Sequence, residues 1–88
     1  MRTYWIQYPQ NFSNQYTVGI ATTEAHATQY EAEGYDRIDR AAALRRLCYR
    51  GDWATTAYVS ATLDGRDFDR FTVARRIRAG ELLERDST

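Results

Sequence analysis

Along residues 55–63 apolar and polar positions alternate without a break. Ala57, Val59, Ala61 and Leu63 fall on one side; Thr56, Tyr58, Ser60 and Thr62 fall on the other. A period of two is the pattern of a half-buried strand. Asp64-Gly65 follows at once, a strong signal for a tight hairpin, and residues 66–71 read as the returning partner. The pattern predicts that 55–63 is the central strand of a small sheet. At the N-terminus Tyr4, Ile6 and Tyr8 alternate with Trp5 and Gln7, a first strand closed by Pro9, which cannot donate to a sheet ladder. Residues 15–21 read as a second strand, with Tyr16, Val18 and Ile20 sharing a face. These two are expected to pair as an antiparallel hairpin, with Tyr4, Ile6, Tyr8, Tyr16, Val18 and Ile20 as its core side.

Three helices are predicted between and after these strands. Thr22 or Thr23 caps the first, over 24–33, and Gly34 stops it in a left-handed conformation. Its apolar positions, Ala25, Ala27, Tyr30 and Ala32, are small and loosely periodic. Residues 35–38 form a short extended piece, an edge strand. Asp39 caps a second helix from Arg40 to about Tyr49, with Ala43, Leu44, Leu47 and Cys48 on one face. A last helix over 73–79, capped by Thr72 and stopped by Gly80, buries Val73, Ala74 and Ile77. The order β-β-α-(β)-α-β-β-α predicts an α+β fold: an antiparallel or mixed sheet with helices mainly on one face. Residues 1–83 make one domain and 84–88 a frayed tail.

Composition changes this picture in two places. Leu, Ile, Val and Phe number only 15 of 88 residues, so the core must draw on twelve Ala, seven Tyr and two Trp. All twelve basic residues are Arg. Codon usage accounts for that, and it is equally what bidentate pairing with carboxylate or phosphate favours. The single Cys48 excludes an internal disulfide and reads as a small buried hydrophobe. No apolar run reaches the length of a membrane span and no signal peptide is evident, so a cytoplasmic protein without membrane contact is expected.

The charges sum to zero but are segregated along the chain. Glu24, Glu31, Glu33 and Asp36 are followed by an Arg-rich stretch containing Arg45 and Arg46. Acids return at Asp64, Asp67 and Asp69, and then come Arg70, Arg75, Arg76 and Arg78. Internal pairing across solvated faces is the simplest outcome and contributes little stability. The alternative is a bipolar surface that steers a charged partner. Catalytic chemistry is not indicated. His26 is the lone histidine, without a nearby nucleophile, and Asp67 and Asp69, pointing the same way on one strand, are ordinary hairpin residues. No enzyme activity, metal or cofactor is expected.

What remains is an interaction protein. Trp5, Phe12 and Tyr58 are its expected apolar anchors. Arg45, Arg46, Arg75 and Arg76, with Glu31, Glu33 and Asp36, are its expected polar contacts. The aromatic segment Thr3-Tyr-Trp-Ile-Gln-Tyr8 and the alternating acidic and Arg blocks, in a small chain without catalytic signature, resemble small phage and mobile-element inhibitors such as anti-CRISPR proteins. That resemblance implies stoichiometric binding to a larger nucleic-acid-processing complex, with the 24–36 acidic stretch in a basic groove. The neutral net charge departs from the strongly acidic DNA-mimic type. A protein partner ranks first, and a homodimer through an aromatic patch or sheet edge is compatible with the fold. Nucleic-acid binding through the last helix ranks second, since the sequence pI is about 6.6. The arrangement of the Arg side chains discriminates between them. A shared, acid-free face favours nucleic acid; dispersed Arg paired with acids favours protein contacts.

Overall fold

A computed structural model of the chain describes residues 2–9, 15–48 and 58–80. Five strands and three helices lie within them: β1 (Thr3–Gln7), β2 (Gln15–Ala21), α1 (Glu24–Ala32), β3 (Asp36–Ile38), α2 (Arg40–Leu47), β4 (Tyr58–Leu63), β5 (Arg66–Phe68) and α3 (Arg70–Arg78). The α+β class and element order are those the sequence predicts. The sheet is mixed, in the order β3-β1-β2-β4-β5. β1 runs antiparallel to both β2 and β3, β2 parallel to β4, and β4 antiparallel to β5.

The central strand is therefore β2, not β4, which stands second from the edge. The reason is visible in its residues. Val18, Gly19, Ile20 and Ala21 are all buried, a continuous run that suits a strand covered on both faces. β4 keeps Ser60 and Thr62 on one side, and its predicted start at Thr55 lies outside the described residues.

Local signals set the helix ends. Thr23 caps α1, its hydroxyl accepting from the His26 N–H. Asp39 caps α2, its carboxylate 2.7 Å from the Ala42 nitrogen. The third cap differs from expectation. Asp69, not Thr72, accepts from the Thr72 N–H and hydroxyl, so α3 begins at Arg70 and β5 stops at Phe68. Asp ranks above Thr as an N-cap, and the earlier start adds most of a turn to a short helix. Asp69 consequently leaves the strand, and Asp67 and Asp69 do not share a strand face. The β4–β5 turn has Asp64 at φ 50° and Gly65 at φ 81°, the two left-handed residues of a tight hairpin turn.

Two helices cover one face of the sheet and the third covers the other. On the first face Tyr4, Val18, Ile20 and Ala61 meet Ala43 and Leu47 of α2 and Val73, Ala74 and Ile77 of α3. On the second, Trp5 and Ala21 meet Ala27 and Tyr30 of α1, with Tyr35 against them. This second cluster depends on Gly19. A Cβ there would lie 2.7 Å from Tyr30 Cε1, so only glycine lets the ring rest on the strand. The ring cannot readily swing away: its hydroxyl accepts from the Gly65 N–H at 3.0 Å and shares a 2.8 Å hydrogen bond with Thr62.

Candidate functional site

The sheet sorts the charged blocks. α2 and α3 carry seven arginines, Arg40, Arg45, Arg46, Arg70, Arg75, Arg76 and Arg78, and no acid within either helix. Both helices lie on the same face and pack on one another. Arg40 donates to the Ile77 carbonyl at 3.4 Å, and Arg78 reaches Cys48 Sγ at 3.0 Å, so guanidinium groups straddle the seam. The two acids at the helix starts, Asp39 and Asp69, are engaged as caps. The caps hold the Asp69 carboxyl below the usual carboxylate range: the Thr72 N–H first, then the Thr72 hydroxyl, favour its charged form. Among the described residues, exposed Arg45 and Arg75 make no ion pair or hydrogen bond.

The opposite face carries four carboxylates, with Arg37 of β3 beside Trp5 at its edge. α1 presents Glu24 and Glu31, Glu33 follows at its C-terminus, and Asp67 joins from β5 through its pairing with Thr62. A sheet and two layers of side chains separate these carboxylates from the α2–α3 arginines. Among the described residues, topology thus keeps Glu24, Glu31, Glu33 and Asp67 from pairing with the α2–α3 arginines. The expected acids do not form one group. Glu31 and Glu33 are exposed on the α1 side, whereas Asp36 pairs with Ile6 at the β3 edge.

The expected aromatic anchors are redistributed. Trp5 is 6% exposed and belongs to the second core cluster, its indole N–H donating to Thr3 Oγ1 at 2.7 Å. It is a core residue because α1 covers the face on which it stands. Phe12 and the side chain of Tyr58 lie outside the described residues. Tyr8, expected in the core, is 50% exposed instead, one residue beyond the end of β1. It meets Tyr16 edge-on at 6.0 Å, and the Arg46 guanidinium lies 4.2 Å over the Tyr16 ring. Phe68 and Phe71 are also exposed. A cavity of about 280 Å³ opens beside Tyr8, lined also by Ile6, Ile38, Ala42, Arg45 and Arg46. Sequence reasoning missed this site. Its one signal was the position of Tyr8 next to Pro9, where the strand must end.

A second, smaller cavity of about 100 Å³ lies between α1 and the β4–β5 turn, lined by His26, Gln29, Tyr30, Glu33, Tyr35, Thr62 and Gly65. Burial, with Tyr30 and Glu33 nearby, pushes the Tyr35 phenol up, so it stays protonated at neutral pH. Asp64 accepts from the Thr22 N–H at 2.7 Å and from the Thr22 hydroxyl. His26 Nδ1 stands 2.6 Å from Thr23 Oγ1 and 3.6 Å from Asp64 Oδ1. Both contacts use the same ring nitrogen. A relay needs the acid on one nitrogen and the nucleophile on the other, so this cluster ties the turn to the helix cap and is not arranged for proton transfer.

No family model matches the chain, no curated protein matches it in sequence, and no solved structure matches it.

Proposed function

We propose that this protein is a small non-enzymatic binding module that engages the phosphate backbone of nucleic acid through the α2–α3 face. The observation that carries this reading is the gathering of seven arginines on two packed helices that themselves contain no acid, the capping Asp39 and Asp69 being engaged. Arg45 and Arg75 are the exposed contacts, with Arg46 and Arg76 beside them. Neutral net charge does not oppose the reading, because Glu24, Glu31, Glu33 and Asp67 lie on the other side of the sheet from a ligand on the Arg face.

The test is fluorescence anisotropy of labelled single- and double-stranded oligonucleotides at low and near-physiological salt. Binding should weaken steeply with salt, and Arg75→Ala/Arg76→Ala should lower the salt slope by about two. Absence of binding at low salt would overturn it.

A second reading rests on the opposite face. Glu24, Glu31, Glu33 and Asp67 form an acid-rich surface suited to a basic channel, the mode of a stoichiometric inhibitor of a nucleic-acid-processing complex, as in anti-CRISPR proteins. Capture of such a complex from the native host by the wild-type chain, and not by Glu31→Lys/Glu33→Lys, would favour it over the first.

A further inference from the structure

The cavity beside Tyr8 has a composition that differs from the rest of the Arg face. Its floor is apolar: Ile6 is 3% exposed, with Ile38 and Ala42 beside it. One wall is the half-exposed ring of Tyr8. Arg45 and Arg46 of α2 also line the cavity. The Arg46 group is held in place over Tyr16. The site therefore suits a flat apolar ring joined covalently to an anion.

A nucleotide has that form, with its base as the ring and its phosphate as the anion. Among the ordinary amino acids none combines the two in one side chain. Arg45 and Arg46 also belong to the phosphate-binding face, so a strand running over α2 passes the mouth of the cavity. In a duplex the base is stacked and paired and cannot enter; in a single strand it can turn out and stack on an aromatic side chain.

We propose that the Tyr8 cavity receives an unpaired nucleobase, with Tyr8 as its stacking partner and Arg45 on the adjoining phosphate, making the protein selective for single strands. This rests on the α2–α3 face being a nucleic-acid interface. The experiment compares a labelled oligothymidylate with a labelled duplex of equal length, titrated with wild type, Tyr8→Ala, Tyr8→Phe and Arg75→Ala/Arg76→Ala, each checked for native circular dichroism.

Tyr8→Ala should weaken oligothymidylate binding about thirtyfold, the middle of the range for one stacked base, and leave duplex binding unchanged. Tyr8→Phe, which keeps the ring, should restore it. Arg75→Ala/Arg76→Ala should weaken both ligands. Equal loss on both ligands in Tyr8→Ala, or no loss on either, would overturn the base site. If the duplex still binds and Arg75→Ala/Arg76→Ala still weakens it, the phosphate-binding face survives that result. Failure of both oligonucleotides to bind at low salt would remove the face and the cavity assignment together.

Discussion

The two faces of the sheet are built by different rules. The α2–α3 face packs aliphatic side chains from three strands and two helices, and Val18, Ile20, Leu47, Val73 and Ile77 are fully buried there. The α1 face holds two large rings, Trp5 and Tyr30, and two alanines, and its fit depends on the missing side chain of Gly19. Beyond α1 this face continues as a polar strip, where Thr17 and Ser60 hydroxyls lie 3.1 Å apart and Gln15 donates to Ser60. One face is a distributed aliphatic core. The other is a local aromatic joint held by hydrogen bonds. Aliphatic burial needs no particular partner, whereas a ring on a glycine needs one geometry. The faces differ also in charge, with arginine over the aliphatic core and carboxylates over the aromatic joint.

The largest effect should come from Trp5. Because it is core, Trp5→Ala should cost about 3–5 kcal/mol, comparable to the 2–5 kcal/mol expected for Leu47→Ala on the other face. Urea denaturation followed by far-UV circular dichroism measures both. A Trp5→Ala loss under about 1 kcal/mol would mean the α1 face contributes little to stability.

An intermediate effect is expected at Gly19. Gly19→Ala should cost about 1–3 kcal/mol, because the Tyr30 ring must move and surrender its bonds to Thr62 and Gly65. Adding Tyr30→Leu should recover part of that loss, since the added methyl no longer meets a ring. Additivity of the two changes in thermal denaturation would show that they do not share one joint.

The smallest effect is the pH response of the α3 cap. The folded-state pKa of Asp69 is depressed, so its contribution is complete above the unfolded value near pH 4 and is lost as pH falls through the lower folded value. Hydrogen exchange of α3 amides should therefore accelerate in wild type below about pH 4, relative to Asp69→Asn, whose amide caps without titrating. An identical pH profile in the two proteins would assign the acid response to other carboxylates.

Much of the fold was legible because its signals are local. Asp39, Gly34, Gly80 and the Asp64-Gly65 turn act on their own backbone within a few residues, and they stand where the pattern places them. The burial of Val73, Ala74 and Ile77, and of Ala43 and Leu47, follows equally from helical spacing. The candidate site was less legible. Alternation places Trp5 opposite Tyr4 and Ile6, but it does not say that α1 covers that side. It groups Tyr8 with Tyr4 and Ile6, but it does not say that Tyr8 is left half-exposed beside α2.

The sequence by itself determined the elements, their order and the composition of each face, since caps, turns and periodicity depend on neighbours along the chain. Only the tertiary structure decided that β2 is central, that Trp5 is buried and Tyr8 exposed, and that the seven α2–α3 arginines and the carboxylates Glu24, Glu31, Glu33 and Asp67 lie on opposite sides of the sheet. Those outcomes depend on which strand pairs with which and which helix covers which face. Such contacts join residues far apart in the chain, and no local pattern encodes their partners.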